Sequence, residues 1–304
     1  MLLKLQNRII RDNIFYRCQN YDASWQIDLL RVASAMFGVI TFLQLLIDFD
    51  IFFSPDCLIN WEVTNASSLW FELHPAKISA LLRLDFQTVL LGSIIFYFIT
   101  LFNLLLGILP RFNAFLSLLL FIMFGNLTSP YGYGVDVYLT LSLFFLSLFP
   151  SGYHLTLIKR TFSSEVKQVQ CICLRTFQIY LALTYLNAGF EKALMEDWWN
   201  GKFIFYLIND PTLMVNPIVP TNLPIWLYSL IGLLVVFLET FYIVFVWVPY
   251  FRTALMIGII LMHGFIAFSM GLVAFGALLL ILNTIAWYPT ILADIKTLYN
   301  GKKI

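Results

Sequence analysis

The sequence predicts an all-α fold: a polytopic integral-membrane helical bundle of about eight transmembrane helices. Two observations predict it. Hydrophobic residues make up 61% of the 304 and charged residues only 12%, whereas soluble domains carry about 25% charge. Apolar runs of about 18 residues or more recur along the chain, the length a helix needs to cross a bilayer. The formal net charge of +1 comes with no basic patch, which gives no reason to expect a nucleic-acid partner.

The elements follow in order. The opening segment MLLKLQNRIIRDNIFYRCQNYD is amphipathic and lacks an apolar core with a small-residue cleavage site, so no cleaved signal peptide is expected. Spans are expected near residues 27–48, 86–109, 112–128, 135–149, 170–192, 224–250, 253–270 and 272–289. The third and fourth flank GNLTSPYGYGVD, and the last two form a tight hairpin around SMG. Two longer extracytoplasmic loops, 49–85 and 193–223, complete a single transmembrane domain over residues 1–304.

Lysine and arginine placement sets the orientation. Lys4, Arg8, Arg11, Arg17, Arg111, Lys159, Arg160, Lys167, Arg252, Lys296, Lys302 and Lys303 share the side of the N-terminus. The other side holds Lys77, Arg83, Lys202 and the span-terminal Lys192. Both termini are therefore expected in the cytoplasm. Cys18, Cys171 and Cys173 then fall on the reducing side and Cys57 stands alone outside, so no intrachain disulfide is expected. Cys171 and Cys173 lack companions for a metal, which leaves packing or lipidation as their readings. Asn65, in NAS, matches a glycosylation acceptor.

An ionisable residue inside a span costs about 2.5–3.5 kcal/mol or more and calls for a partner or a role. Asp28 and Arg31 stand at i, i+3 spacing and read as a structural pair. Asp136 follows the glycine-rich YGYGV, where capping a helix and serving a site are both open. Glu239 and His263 are the deep ones. Each lies about 15 Å from its cytoplasmic boundary at 1.5 Å per residue, so adjacent antiparallel helices are expected to bring them together. Such a pair serves as a relay or orients a substrate, or else holds two helices together. Lys192 ends the fifth span, where snorkelling is the ordinary reading. Against it, Gly189 permits close backbone approach and DWWNG sets Trp198 and Trp199 over the exit, shielding an amine that can then act as a base.

The stretch AGFEKALMEDWWNG resembles the membrane domain of the vitamin K-dependent γ-glutamyl carboxylases, within the horizontally transferred transmembrane (HTTM) family. There an Ala-Gly closes a span, a lysine follows three residues later, and Asp-Trp-x-x-Gly comes next. LLRVASAMFGVI, GVDVYLTLSLFFLSLFPSG, FLET and MHGFIAFSMGLVAFGALL match in the same order. The resemblance implies a bundle of about eight or nine helices with an outward-facing site and a vitamin K-type quinol as cofactor, with no metal. It makes Lys192 the base, with Glu239 and His263 as polar companions and Tyr131, Asp136 and Trp198 at the substrate or cofactor.

The departures from that pattern are specific. Tyr131 stands where the carboxylases carry a histidine, and one extra residue separates Lys192 from Trp198. The chain reaches GKKI without the large extramembrane domain that grips a protein substrate, so carboxylation of glutamate is not required of it. Chains of this size are similar to the SdpB-type proteins, which implies maturation of an exported peptide, with membrane lipid and a separate soluble subunit as further partners. Two functions remain open: a quinol-linked, base-catalysed modification of an exported peptide, and a non-enzymatic maturation or immunity factor that binds one.

Overall fold

In a computed structural model, residues 18, 21–54, 57–128, 132–158, 161–217 and 223–299 are described, and every regular element among them is helical. The helices are α1 (Ser24–Ile47), α2 (Phe49–Phe52), α3 (Trp61–Ser67), α4 (Pro75–Leu82), α5 (Phe86–Leu105), α6 (Pro110–Thr128) and α7 (Gly134–Leu148). They continue with α8 (Ser164–Ala193), α9 (Glu196–Trp199), α10 (Lys202–Asn209), α11 (Ile225–Thr240), α12 (Tyr242–Phe245), α13 (Pro249–Ser269) and α14 (Val273–Tyr299).

Six of them, α1, α5, α6, α8, α13 and α14, are long and apolar enough to cross a membrane, and α7 and α11 are apolar but shorter. The surface carries the same message. Ile95, Phe102, Ile257 and Leu261 face outward while Glu239, His263, Asn283 and Arg31 are buried. Water would reverse that arrangement; a hydrocarbon surround favours it.

The chain divides into two compact units, residues 1–174 and 175–304, with the division inside α8. In the first unit α1, α5, α6 and α7 form a ring in which each packs on the next. Aromatic rings fill its centre: Phe42 lies 5.0 Å from Tyr97, 5.6 Å from Phe98 and 4.6 Å from Phe124, centroid to centroid.

One end of this ring is tied by two buried charges. The Asp28 carboxylate accepts the backbone N–H groups of Gly152, Tyr153 and His154. The Arg31 guanidinium donates to the carbonyls of Leu104, Leu105, His154 and Leu155. The two side chains also pair at 3.6 Å. A buried charge is tolerated where it is paired and hydrogen-bonded; here the two serve the last carbonyls of α5 and the backbone after α7, and Arg31 Nε alone has no hydrogen-bond partner among the described residues. The i, i+3 pair is a structural knot.

Cys18 is disulfide-bonded to Cys171, with the two Cα atoms 5.4 Å apart. No intrachain disulfide was expected, and the fold instead brings these two cysteines into bonding distance. That expectation rested on compartment alone, and compartment does not determine which thiols the fold brings together. Cys57 and Cys173 are free.

The extracytoplasmic loop expected over 49–85 holds three short helices, and their caps are legible in the residues. Asn60 accepts the Glu62 N–H and begins α3. His74 accepts the Ala76 N–H and begins α4, with Pro75 at its first turn. Asp85 accepts the Thr88 N–H and begins α5. Pro at the first helical position is a favoured start, as is a side-chain acceptor at the cap, an oxygen at Asn60 and Asp85 and a ring nitrogen at His74.

In the second unit the span expected over 224–250 is broken. α11 ends at Thr240, Phe241 leaves helical geometry, and the one-turn α12 follows before Pro249 opens α13. α13 and α14 pack as the expected hairpin, reversing at Gly271 with φ +70°. Its far end is fastened by Arg252, which pairs with Asp294 at 2.5 Å and donates to the Val246 and Trp247 carbonyls.

Candidate functional site

The site gathers on one face of α8 in the second unit. Tyr185, Gly189 and Lys192 recur at steps of four and three, which puts them on a single stripe of a helix. Each receives a different neighbour. Lys192 Nζ lies 2.6 Å from Glu239 Oε2, and the amine also donates to the Ala188 carbonyl at 3.3 Å. Tyr185 OH lies 2.7 Å from His263 Nε2. Between them α11 crosses Gly189 so closely that a β-carbon there would stand 2.4 Å from the Thr240 nitrogen. Small residues at helix crossings permit such approach in membranes. Gly189 is what lets Glu239 reach the lysine.

Glu239 and His263 therefore do not pair directly with each other. The depth argument assumed one continuous helix from 224 to 250, and α11 instead stops one residue after Glu239. Both side chains turn to α8, at positions seven residues and about 10 Å of helical rise apart.

DWWNG covers the amine through one tryptophan only. The Trp198 ring lies 5.5 Å from Lys192 Nζ, within the range of a cation–π contact. Trp199 is exposed and donates its indole N–H to the Ala193 carbonyl. Trp198 is held by stacking on Phe203 at 4.2 Å and by the apolar cluster it shares with Ile204, Tyr228 and Val236. Gly201, at φ +78°, seats the turn against α11, where a β-carbon would stand 2.4 Å from the Ser229 nitrogen. Asn187 bonds Glu191 at the surface and has no part in the lysine's surroundings.

Three residues absent from the sequence reading extend the site. Asn283 donates to Tyr185 OH at 2.8 Å and accepts from Tyr242 OH at 2.8 Å, and Trp287 Nε1 donates to Tyr242 OH at 2.8 Å. All are buried, and the Tyr185 and Tyr242 rings stack at 4.3 Å. The amide of Asn283 has no proton to pass on from its oxygen to its nitrogen, so this chain orients His263 rather than conducting protons to it. A polar residue inside ILNTIAW was the available signal for Asn283.

Polar atoms here remain unmatched. His263 Nδ1, Trp198 Nε1 and Thr240 Oγ1 are buried without a hydrogen-bond partner among the described residues. His263 and Trp198 are 3% and 6% exposed, so water does not readily serve them. Buried polar groups are nearly always satisfied, and groups like these fit a ligand that carries oxygen acceptors. Among the described residues no group of three His, Cys, Asp or Glu is placed to hold a metal ion.

Asp136 lies in the first unit, where its carboxylate accepts the Tyr133 N–H at 2.8 Å and caps α7. Tyr131 falls outside the described residues. No protein-family model, curated protein or solved structure matches the chain.

Proposed function

We propose that the protein is an eight-span HTTM-type membrane protein with cytoplasmic termini, performing a quinol-linked, base-catalysed modification of an exported peptide. The observation that carries the reading is the Lys192–Glu239 pair at 2.6 Å, roofed by Trp198 and bordered by unmatched polar atoms. The two groups are in direct hydrogen-bond contact, which gives a proton a path from one to the other. When Glu239 takes it, Lys192 is left as a neutral amine, the form that accepts a proton from an acidic O–H. Trp198 limits water at the amine, and His263, fixed through Tyr185 and Asn283, presents its second nitrogen to whatever binds. A quinol held there would supply the acidic hydroxyl and the reducing equivalents.

The same 2.6 Å contact favours a second reading, in which Lys192 and Glu239 simply clasp α8 to α11 in a non-enzymatic maturation or immunity factor. Organic extraction of the purified protein separates the two. Co-purified quinone together with a loss of peptide maturation in Lys192→Met, by about 10²–10⁴ in rate as for a lost general base, supports the first. Maturation at the parent rate in that variant leaves only the clasp.

A further inference from the structure

The first unit contains a cavity of about 490 Å³, within the usual size range for small-molecule sites. It opens where α1 and α6 end and α7 begins. Its walls are rich in aromatic rings, among them Phe42, Phe52, Phe121, Phe124 and Tyr133. Among the described residues two carboxylates line it, Asp48 and Asp136, and no lysine, arginine or histidine does. Asn126 also lines it, and its amide nitrogen is enclosed without a hydrogen-bond partner among the described residues. A half-turn of that amide presents oxygen in place of nitrogen, so this position serves a ligand donor as readily as an acceptor.

The geometry points to a binding site for a lipophilic organic cation, an amine or quaternary ammonium with an apolar body. The rings take the apolar body, and their faces attract positive charge. The two carboxylates supply the countercharge, which no basic side chain in the cavity cancels. An anionic ligand would meet two like charges with nothing to offset them, and a plain hydrocarbon would leave the Asn126 amide and both carboxylates unserved. The role of Asp136 as a helix cap is compatible with this, because only one of its oxygens is given to the Tyr133 N–H. Gly125 lies on the cavity wall, and a β-carbon built there meets nothing within 4 Å. The position is exposed and the space beside it open, so a leucine added there crowds the cavity wall without disturbing the helix packing.

The test uses the full chain in neutral-lipid nanodiscs with tetraphenylphosphonium and tetraphenylborate, two ions of the same shape and opposite charge. Saturable binding of the phosphonium alone is expected, weakened about tenfold or more by Asp136→Asn or Asp48→Asn. Gly125→Leu should abolish it while holding or raising the melting temperature, since leucine is the better helix former. Equal binding of the borate overturns the charge assignment. Unsaturable phosphonium uptake, or saturable uptake unchanged in Gly125→Leu and Asp136→Asn, overturns the site itself.

Discussion

Replacing Gly189 with alanine tests whether the crossing of α8 and α11 builds the lysine site. The added methyl would lie 2.4 Å from the Thr240 nitrogen, 2.6 Å from its Oγ1 and 2.9 Å from the Glu239 carbonyl carbon. Two of the three are backbone atoms, which cannot swing aside. Ordinary contact begins near 3.4 Å, so the helices must part by about 1 Å, an overpacking that costs about 1–3 kcal/mol. Alanine returns about 0.8–1 kcal/mol of helix propensity, and the net is a destabilisation of about 1 kcal/mol. The same 1 Å is imposed on the 2.6 Å ion pair, so function should fall further than stability does. Gly92→Ala supplies the control: Gly92 sits in α5 with nothing within 4 Å of an added β-carbon, and there propensity acts alone and should stabilise. Thermal unfolding of both variants in one detergent compares them directly. If Gly189→Ala melts as high as Gly92→Ala, the close crossing does not exist and the site built on it falls.

Three further outcomes are expected. Asn283→Leu removes the donor to Tyr185 and the acceptor for Tyr242, so a loss of about 1–3 kcal/mol in stability is expected, with Asn283→Ser recovering part of it; thermal unfolding measures both. His74, buried in the segment between α1 and α5 beside the Lys77 charge, has its pKa lowered from 6.5 to about 4 by burial and then by that charge. Above pH 6.5 its contribution is complete; below it the unfolded chain takes a proton that the folded histidine refuses until about pH 4, so stability falls across that window. By pH 4 the loss should reach about 3 kcal/mol, at about 1.4 kcal/mol for each pH unit of that window, and His74→Asn, which caps without titrating, should flatten the pH profile of the melting temperature. In Glu239→Gln the lysine keeps a neutral partner but loses its proton acceptor, and peptide maturation should drop at least about tenfold; an unchanged rate removes Glu239 from the chemistry.

Much of this was legible because local chemistry dictates it. The apolar runs located the helices, Asp136 after its glycines offered a cap, and Asp28 with Arg31 announced a pair by spacing alone. What the spacing could not show was that their charge is spent chiefly on the end of α5 and the chain after α7, more than seventy and a hundred residues away. Lys192 stood out because a glycine preceded it and tryptophans followed. Its partner was missed, because pairing Glu239 with His263 needed α11 to continue past Thr240, and no proline or glycine marks the break at Phe241. Tyr185 and Asn283 went unremarked for a different reason. A single tyrosine or asparagine in an apolar run carries no periodic signal, and only the fold shows that each completes the other's hydrogen bonds.

Orientation is where two physical arguments collide. The twelve-to-four bias of basic residues puts the N-terminal side in the cytoplasm, yet that side holds the bonded Cys18 and Cys171, and disulfides rarely persist in a reducing compartment. The charge rule draws on twelve residues spread over five segments, whereas the bond reports first of all that two thiols are neighbours. Neighbouring thiols in the cytoplasm stay reduced and join on oxidation. The expected result is therefore that alkylation of intact cells with a permeant reagent, before lysis, modifies Cys18 and Cys171, and that omitting it lets the bond form. In a cysteine-free background, Ser68→Cys should react with an impermeant reagent from outside and Ser163→Cys should not. If instead Ser163→Cys reacts and Ser68→Cys is silent, the disulfide stands in an oxidising compartment and the charge bias has misled. By the same topology Lys192 would then face the cytoplasm, out of reach of any exported peptide, and the proposed modification would have no substrate on its side of the membrane.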